Sequence, residues 1–414
     1  MALVAGIALP VYAAAAHPPA VSLAASSAAA HHAARQAPHH AAPAARAGAA
    51  AAGRAASATV SSASSATSPA SPTASPASFA ASPAPSAGTS PPAAGNPDGH
   101  AYVPPAARAV STSHPTHVVG HGTPGSCTSR AVVAAVAAGG IITFSCGPGP
   151  VTIKMRATAK VRNTSHEVFL DGGGKVTLSG GGVRRILYMD SCDPHQVWTT
   201  SHCQDQAGPR LVVQNLTLED GNATGQRFDG GGGGAIFARG GRLKVVNSRF
   251  ISNRCDRTGP DLGGAAIRAL SEYHGLPVYI VRSTFRDGVC SNGAALSSIG
   301  VSWVVLNSVM TGNRAVGWGA NPAGHGTPGG GSGGAIYTDG DLYTVKVAGT
   351  LITDNHAREG GGAIFFVSND RTGTLRIEQS KLHHNPSAGF ETAGYPGIFF
   401  LGRGHPIVIG SSLS

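Results

Sequence analysis

Short stretches of alternating apolar and polar residues recur along the C-terminal two thirds of the chain. In each copy a polar residue or glycine follows the alternation, and a large apolar residue comes three positions later. We number each copy from position n, which Asn247 occupies in one of them. The residues at n are Asn215, Asn247, Arg282, Asn307, Gly349, Gln379 and Gly410. Their spacing ranges from 25 residues (Arg282 to Asn307) to 42 residues (Asn307 to Gly349).

The apolar positions of this repeat predict two short β-strands with a bend near n. Position n−2 is held by Val213, Val245, Ile280, Val305, Val347, Ile377 and Val408. Position n+3 is held by Leu218, Phe250, Phe285, Met310, Ile352, Leu382 and Leu413. Successive side chains of a strand point to opposite sides, so both rows face inward. A repeat of this length without helical periodicity is typical of a solenoid, whose copies must stack to bury a core.

Glycine and asparagine recur at the corners of the repeat. Gly233–Ile236, Gly333–Ile336 and Gly361–Ile364 all read GGAI, and the paired glycines predict a tight corner with close approach of neighbouring coils. Position n+6 is held by Gly221, Asn253, Gly288, Asn313, Asn355 and Asn385. We expect a left-handed backbone at n+6, which both residue types tolerate, and asparagine hydrogen bonds from coil to coil.

Two sequence motifs resemble those of known families. The paired GGAI and FxxN tetrapeptides, with FISN at Phe250–Asn253, resemble the repeat of the polymorphic membrane proteins. The stretch FLDGGGKVTLSGGGVRRILYM, followed by LVVQNLTLEDGNA, resembles the first coils of secreted proteins of the pectate-lyase-like superfamily. The resemblance covers residues 125–414, approximately, and implies a right-handed parallel β-helix. It leaves the activity open, because this scaffold carries lyases, hydrolases, adhesins and inert spikes.

The N-terminal quarter differs in composition. Residues 1–16 hold a short apolar run followed by alanines, which is typical of a secretory signal peptide, although no Lys or Arg precedes the run. Residues 17–115 are rich in Ala, Pro, Ser and His and offer little apolar surface to offset the entropy of ordering, so we expect a disordered spacer. The β-helix domain then spans residues 116–414. It begins with a short helix in CTSRAVVAAVAAGG that covers the open end of the stack.

Six cysteines in an apparently exported chain favour disulfides. Cys255 and Cys290 both occupy n+8 (247 + 8 and 282 + 8). Stacked coils lie ~4.8 Å apart, which is within the reach of a disulfide. The predicted pairs are Cys127–Cys146, Cys192–Cys203 and Cys255–Cys290. Zinc held by the Cys192–Cys203 loop and its two histidines is the alternative, although no C-x-x-C spacing is present.

The chain is basic, with 30 Lys and Arg against 20 Asp and Glu and a net charge of +10. This balance favours acidic polymers such as uronic-acid glycans or teichoic acids, and a solvated surface without specific meaning is the alternative. The charges are dispersed rather than gathered in a stripe, which argues against nucleic acid. No apolar run is long enough to cross a membrane. We therefore expect a monomeric protein that is secreted, extracellular or associated with the cell wall.

Polar residues at n+4 and n+5 form the candidate catalytic set: Asp220, Arg286, Asp287 and Asp354. In pectate-lyase-like enzymes, acidic residues hold calcium against a uronate and an arginine acts as base. This row resembles that arrangement in residue type, but it matches no lyase motif residue by residue, so no role is carried over. Calcium needs several converging oxygens, and Ser252 and Gly312 interrupt the row. Solvated turn residues are the alternative.

Two tryptophans lie in irregular loops. Trp198 and Trp318 are candidate glycan-binding residues, because exposed rings on loops commonly stack on sugar faces. Each ring could instead cover an apolar edge of the solenoid, whereas Trp303 occupies n−4 and should be in the core. We therefore expect a non-enzymatic β-helix protein that binds glycans or mediates adhesion without cofactor or metal. The alternative is a polysaccharide lyase or hydrolase acting on uronic-acid glycans, for which calcium would be the cofactor.

Overall fold

The computed structural model describes residues 93–227, 230–320 and 328–414. The predicted signal peptide, and residues 17–92 of the predicted spacer, lie outside these ranges. Within them, parallel strands stack from coil to coil into long sheets. The predicted all-β, solenoid-like class is therefore confirmed.

Each coil contributes strands to three faces. Face 1 holds the strands that precede n, face 2 the strands that follow n, and face 3 the strands that follow the GGAI corner. Strands Glu167–Ser179 and Arg210–Glu219 run through faces 1 and 2, so one 17-stranded sheet contains both. The other strands of face 1 are His117–Val119, Gly140–Phe144, Arg242–Val246, Val278–Val281, Trp303–Leu306, Thr344–Ala348, Thr374–Glu378 and Ile407–Ile409. The other strands of face 2 are Val151–Lys154, Arg249–Ile251, Thr284–Arg286, Val309–Thr311, Leu351–Thr353, Lys381–His383 and Ser412–Leu413.

Face 3 is a separate eight-stranded parallel sheet. Its strands are Ala159–Lys160, Leu187–Asp190, Ile236–Arg239, Ile267–Leu270, Leu296–Ile299, Ile336–Asp339, Ile364–Val367 and Ile398–Leu401. A small three-stranded sheet lies between faces 2 and 3 along the chain and consists of Val289–Cys290, Arg314–Ala315 and His356–Ala357. Short 3-10 helices occupy Pro105–Ala107, Pro124–Ser126, Pro194–Gln196, Cys203–Asp205 and Tyr273–Gly275.

Helix α1, Ser129–Ala138, lies in the stretch where the sequence predicts a helix. The Thr128 side chain accepts a hydrogen bond from the Ala131 N–H and caps the start of the helix. Gly139, with φ of 82°, ends it. Apolar residues of α1, including Val132 and Val136, are buried in the core beside the first strands.

The inner rows of the repeat are where the sequence places them. Val245, Val305, Phe250 and Phe285 are all buried. Phe250 and Phe285 are register partners on neighbouring coils, and their ring centroids lie 4.7 Å apart. The n−2 and n+3 side chains of the last copy are partly buried, and those of the other copies are buried. The predicted register is therefore confirmed.

The bend at n is a left-handed backbone in all seven copies, with φ between 46° at Arg282 and 60° at Gly349. The Ser or Thr at n+1 then joins neighbouring coils. The Ser248 N–H donates to Ser283 Oγ at 3.2 Å, and the Ser283 N–H donates to Ser308 Oγ at 3.1 Å. This hydroxyl row fixes the bend of each coil against the next.

The left-handed residue of the second turn is n+5, so the prediction of a left-handed backbone at n+6 is wrong by one position. Positive φ values at n+5 occur at Asp220, Ser252, Asp287, Gly312, Asp354 and His384. The asparagines at n+6 are buried instead and form the predicted ladder. Asn313 Nδ2 donates to Asn355 Oδ1 at 2.8 Å, and Asn355 Nδ2 donates to Asn385 Oδ1 at 2.9 Å. Buried amides are stable only when paired in this way.

Both glycines of the GGAI corner have a structural role. The first has positive φ: 67° at Gly233, 68° at Gly333 and 63° at Gly361. The second lies against the next coil, because a Cβ on Gly334 would be 2.0 Å from Gly362 O. The predicted tight corner and close approach are both present.

Residues 95–112, which we call the strap, lie along the outer surface of face 1. The Ala101 N–H donates to Asn307 Oδ1, and Asn307 Nδ2 donates to Ala101 O, both at 2.8 Å. Lys244 Nζ donates to two strap carbonyls, and Ala101 and Ala107 pack on apolar residues of face 1. Within the predicted spacer, the strap thus has backbone partners and apolar contacts that composition does not reveal.

The cysteines form the three predicted pairs, of which the register predicts Cys255–Cys290. The Cα atoms of Cys127 and Cys146 lie 5.6 Å apart, those of Cys192 and Cys203 4.9 Å, and those of Cys255 and Cys290 4.8 Å. The Cys255 N–H also donates to Val289 O at 3.1 Å, which places Cys255 opposite Cys290 on the next coil.

Candidate functional site

The candidate catalytic residues lie in one row, but on alternate coils. Asp220, Asp287 and Asp354 are separated by the coils of Ser252 and Gly312, so successive carboxylates are about two coil spacings, or roughly 10 Å, apart. Arg286 Nε pairs with Asp287 Oδ2 at 3.1 Å, and both side chains are about half exposed. The structure thus joins Arg286 to Asp287 and does not bring the four residues together.

The surroundings of this row are mainly ordinary surface contacts. Asp354 Oδ1 lies 3.8 Å from His384 Nδ1, on an exposed part of the surface. Burial raises the pKa of Glu219, and the adjacent Asp220 carboxylate raises it further. Within the described residues, no group of three or more His, Cys, Asp or Glu side chains is placed to hold a metal ion. Cys192 and Cys203 are joined in a disulfide, so their sulfurs are not available for the alternative zinc site.

The two loop tryptophans are partly exposed and lie apart from the groove described below. Trp198 is 39% exposed, and its carbonyl accepts a hydrogen bond from Asn163 Nδ2 at 2.7 Å. Trp318 is 44% exposed, and the Arg358 guanidinium lies 5.8 Å from the centre of a ring of its indole. Trp303, expected in the core, is fully buried and donates from its indole nitrogen to Ser298 Oγ.

A groove of about 690 Å³ runs along the outer surface of face 1, beside the strap. Its floor consists of outward side chains at n−3 and n−1, which repeat once per coil. Its wall is the strap segment 100–104. The lining residues are His100, Ala101, Tyr102, Pro104, Tyr279, Val304, Leu306, Lys346, Ala348, Arg376, Glu378, Gln379 and Ile409. The groove therefore crosses several coils along the axis of the solenoid.

Two basic side chains lie side by side in this groove. Lys346 and Arg376 are register partners on neighbouring coils, and their side chains are 41% and 42% exposed. Both pair with one carboxylate, that of Glu378, which lies 2.8 Å from Lys346 Nζ. The hydrogen bond from Lys346 is the main cause that lowers the pKa of Glu378, and Arg376 contributes in the same direction. Two cations thus share one anion.

Further basic residues continue along face 1 beyond the groove. Arg210, Arg242 and Lys244 lie on its outward side in preceding coils. Burial lowers the pKa of Lys244 and of Arg242, and the nearby Arg210 guanidinium lowers both further. These charges are therefore close enough to repel one another, and they extend the basic character of this face.

Aromatic side chains accompany the basic ones. Tyr279 occupies n−3 two coils before Lys346 and is half-buried in the floor of the groove. Tyr102 on the strap is 73% exposed. Flat aromatic rings beside polar and charged groups suit the stacking and hydrogen bonding of sugars.

Compared with protein families, with curated proteins and with solved structures, the chain has no match. Among the described residues, no helix has the length and apolar character needed to span a membrane. What the molecule does is therefore argued from its own surfaces.

Sequence reasoning identified none of the groove residues as functional. The strap was assigned to the spacer, so its Tyr102 could not be related to face 1. The outward positions could have been found, since Lys346 and Arg376 both occupy n−3 of adjacent copies. The polar positions of the repeat therefore carry the signal that places these two cations side by side, whereas the apolar rows do not.

Proposed function

We propose that this protein is an exported β-helix that binds an acidic polysaccharide in the groove between the strap and face 1. The observation that carries the proposal is the pair Lys346 and Arg376, adjacent on neighbouring coils in a groove that also holds Tyr102 and Tyr279. The scaffold we propose is the right-handed, pectate-lyase-like β-helix, used for binding. Uronic-acid glycans are the ligand class that best fits this chemistry.

The shape of the groove favours a linear polymer over a compact ligand. Its floor repeats once per coil, and the four coils from Tyr279 to Arg376 span about 14 Å at ~4.8 Å per coil. A chain with a carboxylate on every residue can meet successive cations in such a groove. The open surface also lets the chain continue past both ends towards other basic residues of face 1.

The charge balance of the groove leaves room for an external anion. Among the residues that the structure describes, Glu378 is the one carboxylate that pairs with Lys346 and Arg376, so this cluster keeps a net positive charge. A basic surface attracts polyanions over long range, and this attraction weakens as salt screens it. Binding should therefore decline with ionic strength.

Export is part of the same proposal. All six cysteines are paired within the described residues. Stable disulfides are typical of proteins that mature in an oxidising compartment. An extracellular or cell-wall location would give the groove access to acidic glycans.

The test compares polygalacturonate with a neutral polysaccharide by measuring retention of the protein at low and moderate salt. Lys346→Gln and Arg376→Gln should each weaken binding of polygalacturonate by roughly two- to fivefold, the range expected for one exposed ion pair. Glu378→Gln should strengthen it, because this change removes the competing carboxylate. Lys381→Gln is the matched control, because Lys381 is exposed on face 2 and lies outside the groove.

The Lys381→Gln control separates groove binding from general attraction to a basic protein, because general attraction would weaken equally when either lysine is replaced. Equal retention by polygalacturonate and the neutral polymer would contradict the proposal. So would a loss with Lys381→Gln as large as the loss with Lys346→Gln.

A further inference from the structure

A second pocket lies on the outward side of face 3, at the first coils of the solenoid. Its volume is about 370 Å³, within the range of small-molecule sites. Its lining includes Thr158, Lys160, Arg185, Tyr188, Asp193 and Arg227. This pocket is separate from the groove, which is formed by face 1 and the strap.

The floor of the pocket interleaves cations with aromatic rings. Lys160 and Tyr188 are register partners on adjacent coils, and Lys160 Nζ lies 5.3 Å from the centre of the Tyr188 ring. The Arg185 guanidinium lies 5.4 Å from the Tyr188 ring and 4.8 Å from the Phe237 ring. Arg185 is 2% exposed and donates to Gly232 O at 2.7 Å and Gly233 O at 3.1 Å. The guanidinium is thus fixed in place before any ligand arrives.

One wall of the pocket is a short loop closed by the Cys192–Cys203 disulfide. Asp193 in this loop accepts hydrogen bonds from Gln196 Nε2 at 2.9 Å and from the Tyr188 hydroxyl at 3.2 Å, and its Oδ1 lies 3.0 Å from His195 Nδ1. Burial alone would raise the pKa of Asp193, but these hydrogen bonds outweigh it and lower the pKa. The Asp193 carboxylate is therefore ionised, and its charge is taken up within the loop.

The cations of the pocket outnumber its anions. Arg227 pairs with Asp256 at 2.9 Å while remaining 61% exposed, so it can also meet a ligand. No carboxylate among the described residues pairs with Lys160, which is exposed at the mouth of the pocket. The Thr158 hydroxyl lines the pocket and donates to Arg185 O. Its oxygen can therefore accept a hydrogen bond from a ligand hydroxyl.

We propose that this pocket binds a monosaccharide-sized organic anion, whose carboxylate or phosphate group lies between Lys160 and Arg227. The Tyr188 ring and the fixed Arg185 form the floor beneath the ligand. Carboxylate and phosphate share the oxyanion chemistry that lysine and arginine recognise. The disulfide-braced loop bounds one side of the site, and a volume of about 370 Å³ suits a single residue better than a continuous chain.

Titration calorimetry with galacturonate, glucose 6-phosphate and galactose tests this assignment. Galacturonate offers a carboxylate, glucose 6-phosphate offers a phosphate, and galactose is neutral. Preferential binding of either anion over galactose supports the proposal and shows which group the pocket recognises. Lys160→Gln should weaken the binding of that anion two- to fivefold, the range expected for one exposed ion pair. Lys381→Gln removes the same charge from an exposed position on face 2 and should leave the affinity unchanged.

Because Lys160 is exposed, its substitution leaves the core intact, and an unchanged unfolding temperature would verify this. Absence of binding by both anions would overturn the proposal. Galactose binding as tight as that of the anions, or full affinity in Lys160→Gln, would also overturn it. Lys160 lies outside the groove, so its substitution reports on this pocket alone, and failure of polymer binding and failure of this pocket are distinguishable.

Discussion

Replacing one asparagine of the buried ladder should destabilise the whole solenoid. Asn355 is fully buried, and its side chain makes five hydrogen bonds. Its Oδ1 accepts from the backbone N–H and the Nδ2 of Asn313, at 3.1 and 2.8 Å. Its Nδ2 donates to Met310 O at 2.9 Å, to Thr353 O at 3.0 Å and to Asn385 Oδ1 at 2.9 Å.

Asn355→Ala leaves two buried backbone groups without these partners, the N–H of Asn313 and the carbonyl of Met310. Each unpaired buried group costs ~1–3 kcal/mol, so the free energy of unfolding should fall by about 2–6 kcal/mol. Alanine is compatible with the backbone at this position, because Asn355 is not among the residues with positive φ. The loss should therefore come from the hydrogen bonds and not from backbone strain.

Urea unfolding followed by circular dichroism measures this change from the shift of the midpoint at constant slope. Thr353→Ala is the matched control on the same coil, since the Thr353 hydroxyl bonds only to the exposed Asp354 carboxylate at 3.0 Å. The control should change the free energy by no more than ~0.5 kcal/mol. A loss below ~1 kcal/mol for Asn355→Ala would refute the view that the ladder joins the coils.

Three further changes test separate parts of the fold. Burial raises the pKa of Glu272 well above its usual range, so stability should fall as pH rises above about 4.5, where the unfolded chain ionises first. Glu272→Gln should reduce this fall in a pH series of unfolding temperatures, whereas the exposed Asp341→Asn should leave it unchanged. Replacing both Cys255 and Cys290 by alanine opens a loop of 35 residues and should lower the free energy of unfolding by ~3–4 kcal/mol; an unchanged urea midpoint would contradict this. Asn307→Gly keeps the left-handed bend but removes both hydrogen bonds between Asn307 and Ala101. Hydrogen exchange of the Ala101 amide should therefore accelerate. Unchanged protection of this amide would show that the strap is held by other contacts.

The repeat register could be predicted because it depends on side-chain size and spacing alone. Phe250, Phe285 and their counterparts recur at a fixed offset from n, and their burial follows from stacking. The pairing of Cys255 with Cys290 follows from the same offset. These features need no knowledge of backbone angles.

The turn at n+6 was predicted wrongly because asparagine suits two different environments. It tolerates a left-handed backbone, and it also forms amide ladders between coils. The structure uses Asn355 for the ladder and places the left-handed residue one position earlier, at Asp354. Sequence composition does not separate these two uses.

The strap and the second pocket were missed for a different reason. The strap is held by backbone groups and by two small alanines, which leave no apolar pattern in the sequence. The pocket combines Lys160 and Tyr188 from coils that precede the clear repeat with Arg227 from a loop. Their proximity depends on coil stacking and loop path, neither of which spacing alone defines there.

Incubation with polygalacturonate, with and without calcium, tests the proposed function most directly. One sample is assayed both for complex formation and for the ultraviolet absorbance of unsaturated uronate products. We predict a complex that weakens with salt, while the chain length of the polymer stays constant. Release of unsaturated products would show a lyase instead of a binding protein, and the absence of any complex at low salt would contradict the proposal altogether.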